Sequence, residues 1–179
     1  MVDPSLGPFL FDTSAESWLY RNESSEIRTW MRAYRSHHSV DVSAITVLER
    51  VRGYALLSRR SMGERRDQVE VARVDYLSQL GRVWPLDVAH AVVAGEIMAL
   101  LPDPPTPPRR SHQLAESRQQ RLARWRFDAM IAATALVLAM PLIHNNAADF
   151  EPMRSAIELS PRRFPRIGPL ELIRCGSLL

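Results

Sequence analysis

Along this chain, short continuous apolar runs alternate with longer stretches whose apolar residues recur at helical spacing. Residues 8–11, PFLF, form a first run that stops at Asp12, Thr13 and Ser14, and helical spacing follows through Trp18, Leu19 and Tyr20. The pattern predicts strand, acid, helix. Ile27, Trp30, Met31 and Tyr34 predict a second helix that ends before His37 and His38, two residues read as surface positions. Residues 40–42 predict a second strand. Ser43 then caps a helix with Ile45, Val47, Leu48, Val51, Ala55 and Leu56 as its apolar positions. Glu49 lies one turn beyond Ile45, on or beside the buried face, and Gly53 one turn later leaves room for close packing.

Residues 63–80 are charged and helical, with Val69, Ala72, Val74, Tyr76, Leu77 and Leu80 as an amphipathic face that Gly81 ends. Residues 83–86 predict a third strand, and Asp87 caps a helix over 88–101. The connector at 102–108, PDPPTPP, is expected to be extended. Residues 111–125 are helix-prone, with Arg118, Arg121 and Trp125 on one face. From 129 to 139 every residue except Thr134 is apolar, and a helix with no wet face belongs in the centre of a domain. Asp128 is expected at the mouth of that helix. Met140 and Pro141 stop it, 142–143 reads as a short buried strand, and Asn145, Asn146 and Asp149 follow. Ligands of open α/β sheets bind at that carboxyl end of the strands. A short helix at 153–158 and a last strand at 170–173 complete the pattern, which implies an α/β fold with a mainly parallel sheet.

The 179 residues, 46% hydrophobic, are expected to form one domain over 1–179, with an insertion at 102–125 and an extension at 151–179. The single cysteine, Cys175, excludes an internal disulfide or a multi-thiolate zinc site and fits a reducing cytoplasm. No secretory signal is apparent, and the longest apolar run, 129–143, is too short and proline-broken to span a membrane. The expectation is a cytoplasmic protein. All 23 basic residues are arginine, a bias that a GC-rich genome explains as well as phosphate binding does. Their placement is more informative. Between residues 102 and 126 stand six arginines against two acids, a patch that attracts polyanions, although a solvated helix face reads the same way.

Four acids stand beside or within the apolar elements: Asp12, Glu49, Asp128 and Asp149. Three of them also have a purely structural reading, Asp12 and Asp128 as helix caps and Glu49 as the partner of an arginine. If they converge, their mutual repulsion calls for cations. Hard ions such as Mg²⁺ or Mn²⁺ take oxygen ligands, and a pair held about 4 Å apart can activate water against a phosphodiester. The sequence carries no P-loop, GxGxxG, HExxH or GxSxG motif.

Taken together, FDTS at 11–14, SAITVLERVRG at 43–53, DAMIAATAL at 128–136 and LIHNNAADF at 142–150 resemble the PIN domain, most closely the VapC-like ribonuclease toxins. The resemblance implies a three-layer α/β/α sandwich with a parallel sheet, a metal-dependent endoribonuclease site, homodimerisation and a small antitoxin that blocks the site. Asp12, Glu49 and Asp128 match the family's first three acids, and Ser14, Ser43 and Thr46 match polar positions that support the site. Where many relatives carry Thr-Xaa-Asn or Thr-Xaa-Asp after the fourth strand, this chain has His144-Asn145-Asn146. The fourth acid therefore falls on Asp149, with Asn146 as a helper. The resulting expectation is a nuclease whose four acids hold Mg²⁺ or Mn²⁺ and whose Arg118, Arg121, Arg124 and Trp125 guide the RNA. Two rivals remain open: a PIN-like module that binds RNA or protein without cutting, and a housekeeping RNA-processing nuclease.

Overall fold

The computed structural model describes residues 2–21, 24–103, 117–164 and 167–179. The elements are β1 (Leu10–Phe11), α1 (Thr13–Arg21), α2 (Ser25–His37), β2 (Asp41–Ser43), α3 (Ala44–Arg60), α4 (Glu64–Ser78), β3 (Val83–Trp84), α5 (Val88–Leu100), α6 (Arg118–Leu138), β4 (Leu142–His144), α7 (Ala147–Glu158) and β5 (Leu172–Arg174). The five strands pair in the order β3-β2-β1-β4-β5, and every pairing is parallel. Leu10 lies opposite both Asp41 and Leu142, so β1 is the centre of the sheet.

Strand side chains alternate between faces, and the alternation separates two cores. Leu10 and Leu142 pack with Val93 and Ile97 of α5, the alanine-rich part of α6, and Phe150 and Met153 of α7. Phe9, Phe11 and Ile143 face the other way, onto Ala15 and Leu19 of α1 and Ile27, Trp30 and Tyr34 of α2. The result is the three-layer α/β/α sandwich expected from the sequence. Tyr34 fixes its second layer: its ring lies 5.3 Å from Trp30 in a stacked arrangement, and its hydroxyl accepts the Phe9 N–H at 3.0 Å.

Three expectations are corrected. Asp128 does not open a helix. Ser117 caps α6 through a capping box with Gln120, and one helix runs from Arg118 through the apolar segment. Leu122, Trp125, Ala129 and Ala132 continue a single apolar stripe at spacings of three and four, so the period does not break where the composition changes. The helix ends where Ala139 takes a left-handed conformation, φ 51°, and frees the chain to enter β4. Secondly, α7 begins at Ala147, not at 153, which puts Asp149 in its first turn.

Thirdly, the apolar face of α3 is less buried than its period implies. Ile45 is covered, but Leu48 and Leu56 are 47% and 40% exposed, although α3 packs against α4. Nothing lies within 4 Å of where a Cβ on Gly53 would stand, so that glycine makes no close approach. Gly81 does: a Cβ there would meet the Val40 carbonyl oxygen at 2.6 Å. On α4, Val69 and Tyr76 are buried while Val74 and Leu77 are exposed. Most of the connector at 102–108, and the first part of the helix expected over 111–125, lie outside the described residues. Among the described residues, no helix is long and apolar enough to cross a membrane.

Candidate metal centre and active site

The parallel sheet dictates where the polar groups gather. Asp12 follows the carboxyl end of β1, and its N–H donates to the Ile143 carbonyl at 3.0 Å, continuing the ladder for one more residue. Its carboxylate then turns onto α1, accepting the Ala15 N–H at 2.6 Å and the Ser14 hydroxyl at 2.8 Å. The capping reading of Asp12 is thus met, and the same geometry leaves its carboxylate at the carboxyl end of β1. Ser14 Oγ also accepts the Asn145 N–H at 3.2 Å, which ties the end of β4 to the end of β1.

Glu49 arrives from α3, and Thr13 Oγ1 donates to its Oε2 at 2.5 Å. Asp128 arrives from the middle of α6 and Asp149 from the first turn of α7. Asn146 joins these two acids, its Nδ2 donating to Asp128 Oδ2 at 3.3 Å and to Asp149 Oδ2 at 2.5 Å. Arg124 stands at the rim with its Nε 3.7 Å from Asp149 Oδ2. Asp12, Asp128 and Asp149 are buried and Glu49 is half-buried.

The electrostatics record the crowding. Burial pushes the Asp12 carboxyl up to about 6; the hydrogen bonds from Ala15 and Ser14 oppose the shift, and the charge of Glu49 adds to it. Asp128 is pushed well above the carboxylate range, first by burial and then by Asp149, Glu49 and Asp12 in turn. Burial raises Glu49 as well, against the Thr13 hydrogen bond and the fields of Arg52 and Arg124. Asp128 therefore feels all three of the other acids, so the four lie in one electrostatic neighbourhood.

Carboxylates crowded together in this way, with one arginine at their rim, suit a divalent cation, and an all-oxygen donor set suits Mg²⁺ or Mn²⁺ better than zinc or copper. The set is open. Among the described residues, no three His, Cys, Asp or Glu side chains are drawn together tightly enough to cage an ion. An ion held by one or two of these carboxylates and completed by water fits that spacing, which is the habit of Mg²⁺.

The remaining sequence candidates fall in different places. Ser43 Oγ accepts the Thr46 N–H at 3.1 Å and the two hydroxyls lie 3.2 Å apart, so this pair starts α3 and bears on Glu49 through the helix. Trp125 is corrected: it is 1% exposed in the core and its indole N–H donates to the Leu101 carbonyl at 3.1 Å, leaving no face for a base. Arg118 is exposed and bonds Asp103 at 2.7 Å. His144 also belongs to the core, with its ring 5.3 Å from Phe150 and its pKa lowered by burial to about 4.

Two features escaped the sequence reading. Thr13 holds Glu49, and a hydroxyl directly after the first acid was the available signal. Glu16, one turn beyond Asp12, is 1% exposed and lies 3.2 Å from Arg50 Nε.

Comparisons with known proteins agree with this architecture. No curated protein matches the chain. Among solved structures, the DNA-bound VapBC of Salmonella typhimurium is similar with a TM-score of 0.55 and 20% identity, over 93% of this chain and 97% of that one. VapBC2 of Rickettsia felis bound to a promoter DNA fragment gives a TM-score of 0.55 at 14% identity over 93% and 97%. VapBC-1 of nontypeable Haemophilus influenzae gives 0.55 at 17% over 94% and 98%. At such identities these likenesses speak for a shared fold. The family model of the PIN domain matches residues 9–153, a span that holds all four acids and four of the five strands, and the chain belongs to the PIN-domain family.

Proposed function

We propose that this chain is a Mg²⁺- or Mn²⁺-dependent endoribonuclease, the toxin of a toxin–antitoxin pair. The observation that carries the reading is the placement of Asp12, Glu49, Asp128 and Asp149 around the carboxyl end of a parallel sheet, with Asp128 raised first by burial and then by the other three. PIN domains are nucleases, and the solved VapBC complexes supply the toxin–antitoxin part of the proposal. The partners that follow are an RNA substrate, a small antitoxin and a second copy of this chain, all in the cytoplasm.

One or two of the four carboxylates would hold an ion directly, with water completing its shell and the remaining acids adding their charge. When bound, it lowers the pKa of a water and neutralises charge on the phosphodiester. The chain's own groups prepare the place. Ala15 N–H and Ser14 fix the Asp12 carboxylate, Thr13 fixes Glu49, and the Asn146 amide holds Asp128 and Asp149 at one separation. Without a cation, Asp128 retains a proton to a higher pH than an ordinary carboxyl, so loading the site requires that proton to leave. Arg118, Arg121 and Arg124, spaced by three along α6, offer a row of positive charge that leads the RNA backbone towards the acids.

The test is cleavage of a mixed pool of structured RNAs by the purified chain with Mg²⁺, with Mn²⁺ and with chelator, beside Asp128→Asn. Cutting that requires metal and falls roughly 10³-fold in the variant, a loss of about 4 kcal/mol of transition-state stabilisation, is the expected result. A second reading, a binding module that does not cut, is favoured by the His144-Asn145-Asn146 corner, which stands where many relatives carry Thr-Xaa-Asn or Thr-Xaa-Asp. RNA retained on a filter without cleavage in any condition would establish it.

A further inference from the structure

Arg124 stands one turn before Asp128 on α6, with its Nε 3.7 Å from Asp149 Oδ2. Its side chain is 44% exposed whereas that of Asp149 is 8% exposed, so it reaches from solvent to a buried carboxylate. The arginine thus occupies the outer edge of the region where a divalent ion would lie. It is also the inner end of the row formed with Arg118 and Arg121.

A guanidinium and a divalent ion cannot both neutralise the same carboxylates without repelling each other. The guanidinium is the one that can leave, because it sits on a flexible stem that is half in water. From the geometry we infer that Arg124 is a resident counter-ion of the acidic site, which competes with the divalent ion for Asp149 and turns to an RNA backbone phosphate when the ion displaces it. This rests on the nuclease reading of the four acids and adds to it a residue with opposite effects on metal and on substrate. A residue that merely supported Asp149 would have the same sign of effect on both.

The experiment is Mn²⁺ titration by calorimetry on the full chain, comparing wild type, Arg124→Gln, Arg124→Lys and Asp128→Asn, followed by RNA cleavage at saturating Mn²⁺. Removing one positive charge a few ångströms from the ligands at a half-exposed site should tighten Mn²⁺ binding about fivefold in Arg124→Gln. Arg124→Lys, which keeps the charge, should stay within about twofold of wild type. In the same Arg124→Gln protein the KM for RNA should rise about tenfold while kcat at saturating Mn²⁺ moves much less, the mark of lost phosphate contact. Unchanged or weaker Mn²⁺ binding in Arg124→Gln, with circular dichroism reporting a native fold, overturns the inference. If wild type takes up no Mn²⁺ that Asp128→Asn removes, the nuclease reading falls and the counter-ion with it. If that uptake is present and Arg124→Gln leaves it unmoved, the counter-ion alone falls.

Discussion

Glu16 and Asp128 are both carboxylates withdrawn from water, at 1% and 6% exposure, but the chain treats them differently. Glu16 faces Arg50 at 3.2 Å, and Arg50 is itself held from several sides. It donates to Ser17 Oγ and to the Tyr54 hydroxyl at 3.2 Å each, and its guanidinium lies 5.3 and 5.0 Å from the rings of Tyr54 and Tyr76. Burial still raises Glu16 to about 7, but Arg50 pulls against the shift. Around Asp128 burial and the three other acids push the same way, and the hydrogen bond it receives is from the neutral Asn146 amide. A buried acid with its own arginine fastens α1 to α3. A buried acid crowded by acids stores unfavourable charge that a ligand can relieve, as functional sites commonly do.

The comparison breaks most visibly at Arg50. Arg50→Met leaves Glu16 buried without its partner and should cost about 3 kcal/mol of stability, measured by urea unfolding at pH 8. The double variant Glu16→Gln, Arg50→Met should recover most of the loss, since the uncompensated charge goes with the arginine. Equal instability of the single and double variants would mean that Arg50 acts through its stacking on Tyr54 and Tyr76 and not as a counter-ion.

The pH dependence of the metal-free protein separates the two sites next. A folded Asp12 with a pKa near 6 binds its proton more tightly than the unfolded chain does, so its contribution is full below about pH 4. That contribution, about 3 kcal/mol, is lost as pH rises through 6. Glu16 adds a second loss of the same sign as pH rises from 4.5 through about 7. Saturating Mn²⁺ should flatten the Asp12 part, because the ion takes the place of the proton, and leave the Glu16 part intact. A profile that Mn²⁺ does not change would detach Asp12 from the metal.

How far these differences were legible in the sequence depends on what each residue needs. Asp12, Asp149 and the Asn145-Asn146 corner follow directly from strand ends, because a parallel sheet delivers everything after its strands to one edge. Glu49 was legible from its place one turn beyond Ile45. Asp128 was found for a partly mistaken reason: the arginines at 118, 121 and 124 masked Leu122 and Trp125 on the other side of the same helix, so the helix was expected to start ten residues late. The same masking put Trp125 among the RNA-facing residues, although the stripe it shares with Ala129 and Ala132 turns it into the core. The pairing of Glu16 with Arg50 joins residues 34 positions apart on two helices, and no spacing rule says which of 23 arginines meets a given acid.

Asp128→Asn sharpens the contrast from the acidic side. Removing one of four crowded carboxylates should stabilise the metal-free protein by about 2 kcal/mol at a pH high enough to ionise the wild-type group, because burial and the neighbouring acids oppose that charge. The same variant should lose the stabilisation that Mn²⁺ gives the wild type, so the two thermal melts converge when metal is added. Destabilisation of the metal-free variant would show that Asp128 is needed by the fold, as Glu16 and Arg50 are.

The smallest effect belongs to Thr13, whose hydroxyl does for Glu49 what Ser17 and Tyr54 do for Arg50. Its hydrogen bond favours the ionised carboxylate, opposing the upward push of burial. Thr13→Val keeps the shape and removes the donor, so Glu49 should ionise at higher pH and Mn²⁺ affinity should fall about tenfold, the usual size for losing a group that orients a ligand. Ser17→Ala, on the same helix beside the other buried acid, should leave Mn²⁺ affinity alone. If both variants bind Mn²⁺ as the wild type does, then Thr13 joins α1 to α3 just as Arg50 does, and the metal depends on the three aspartates without Glu49.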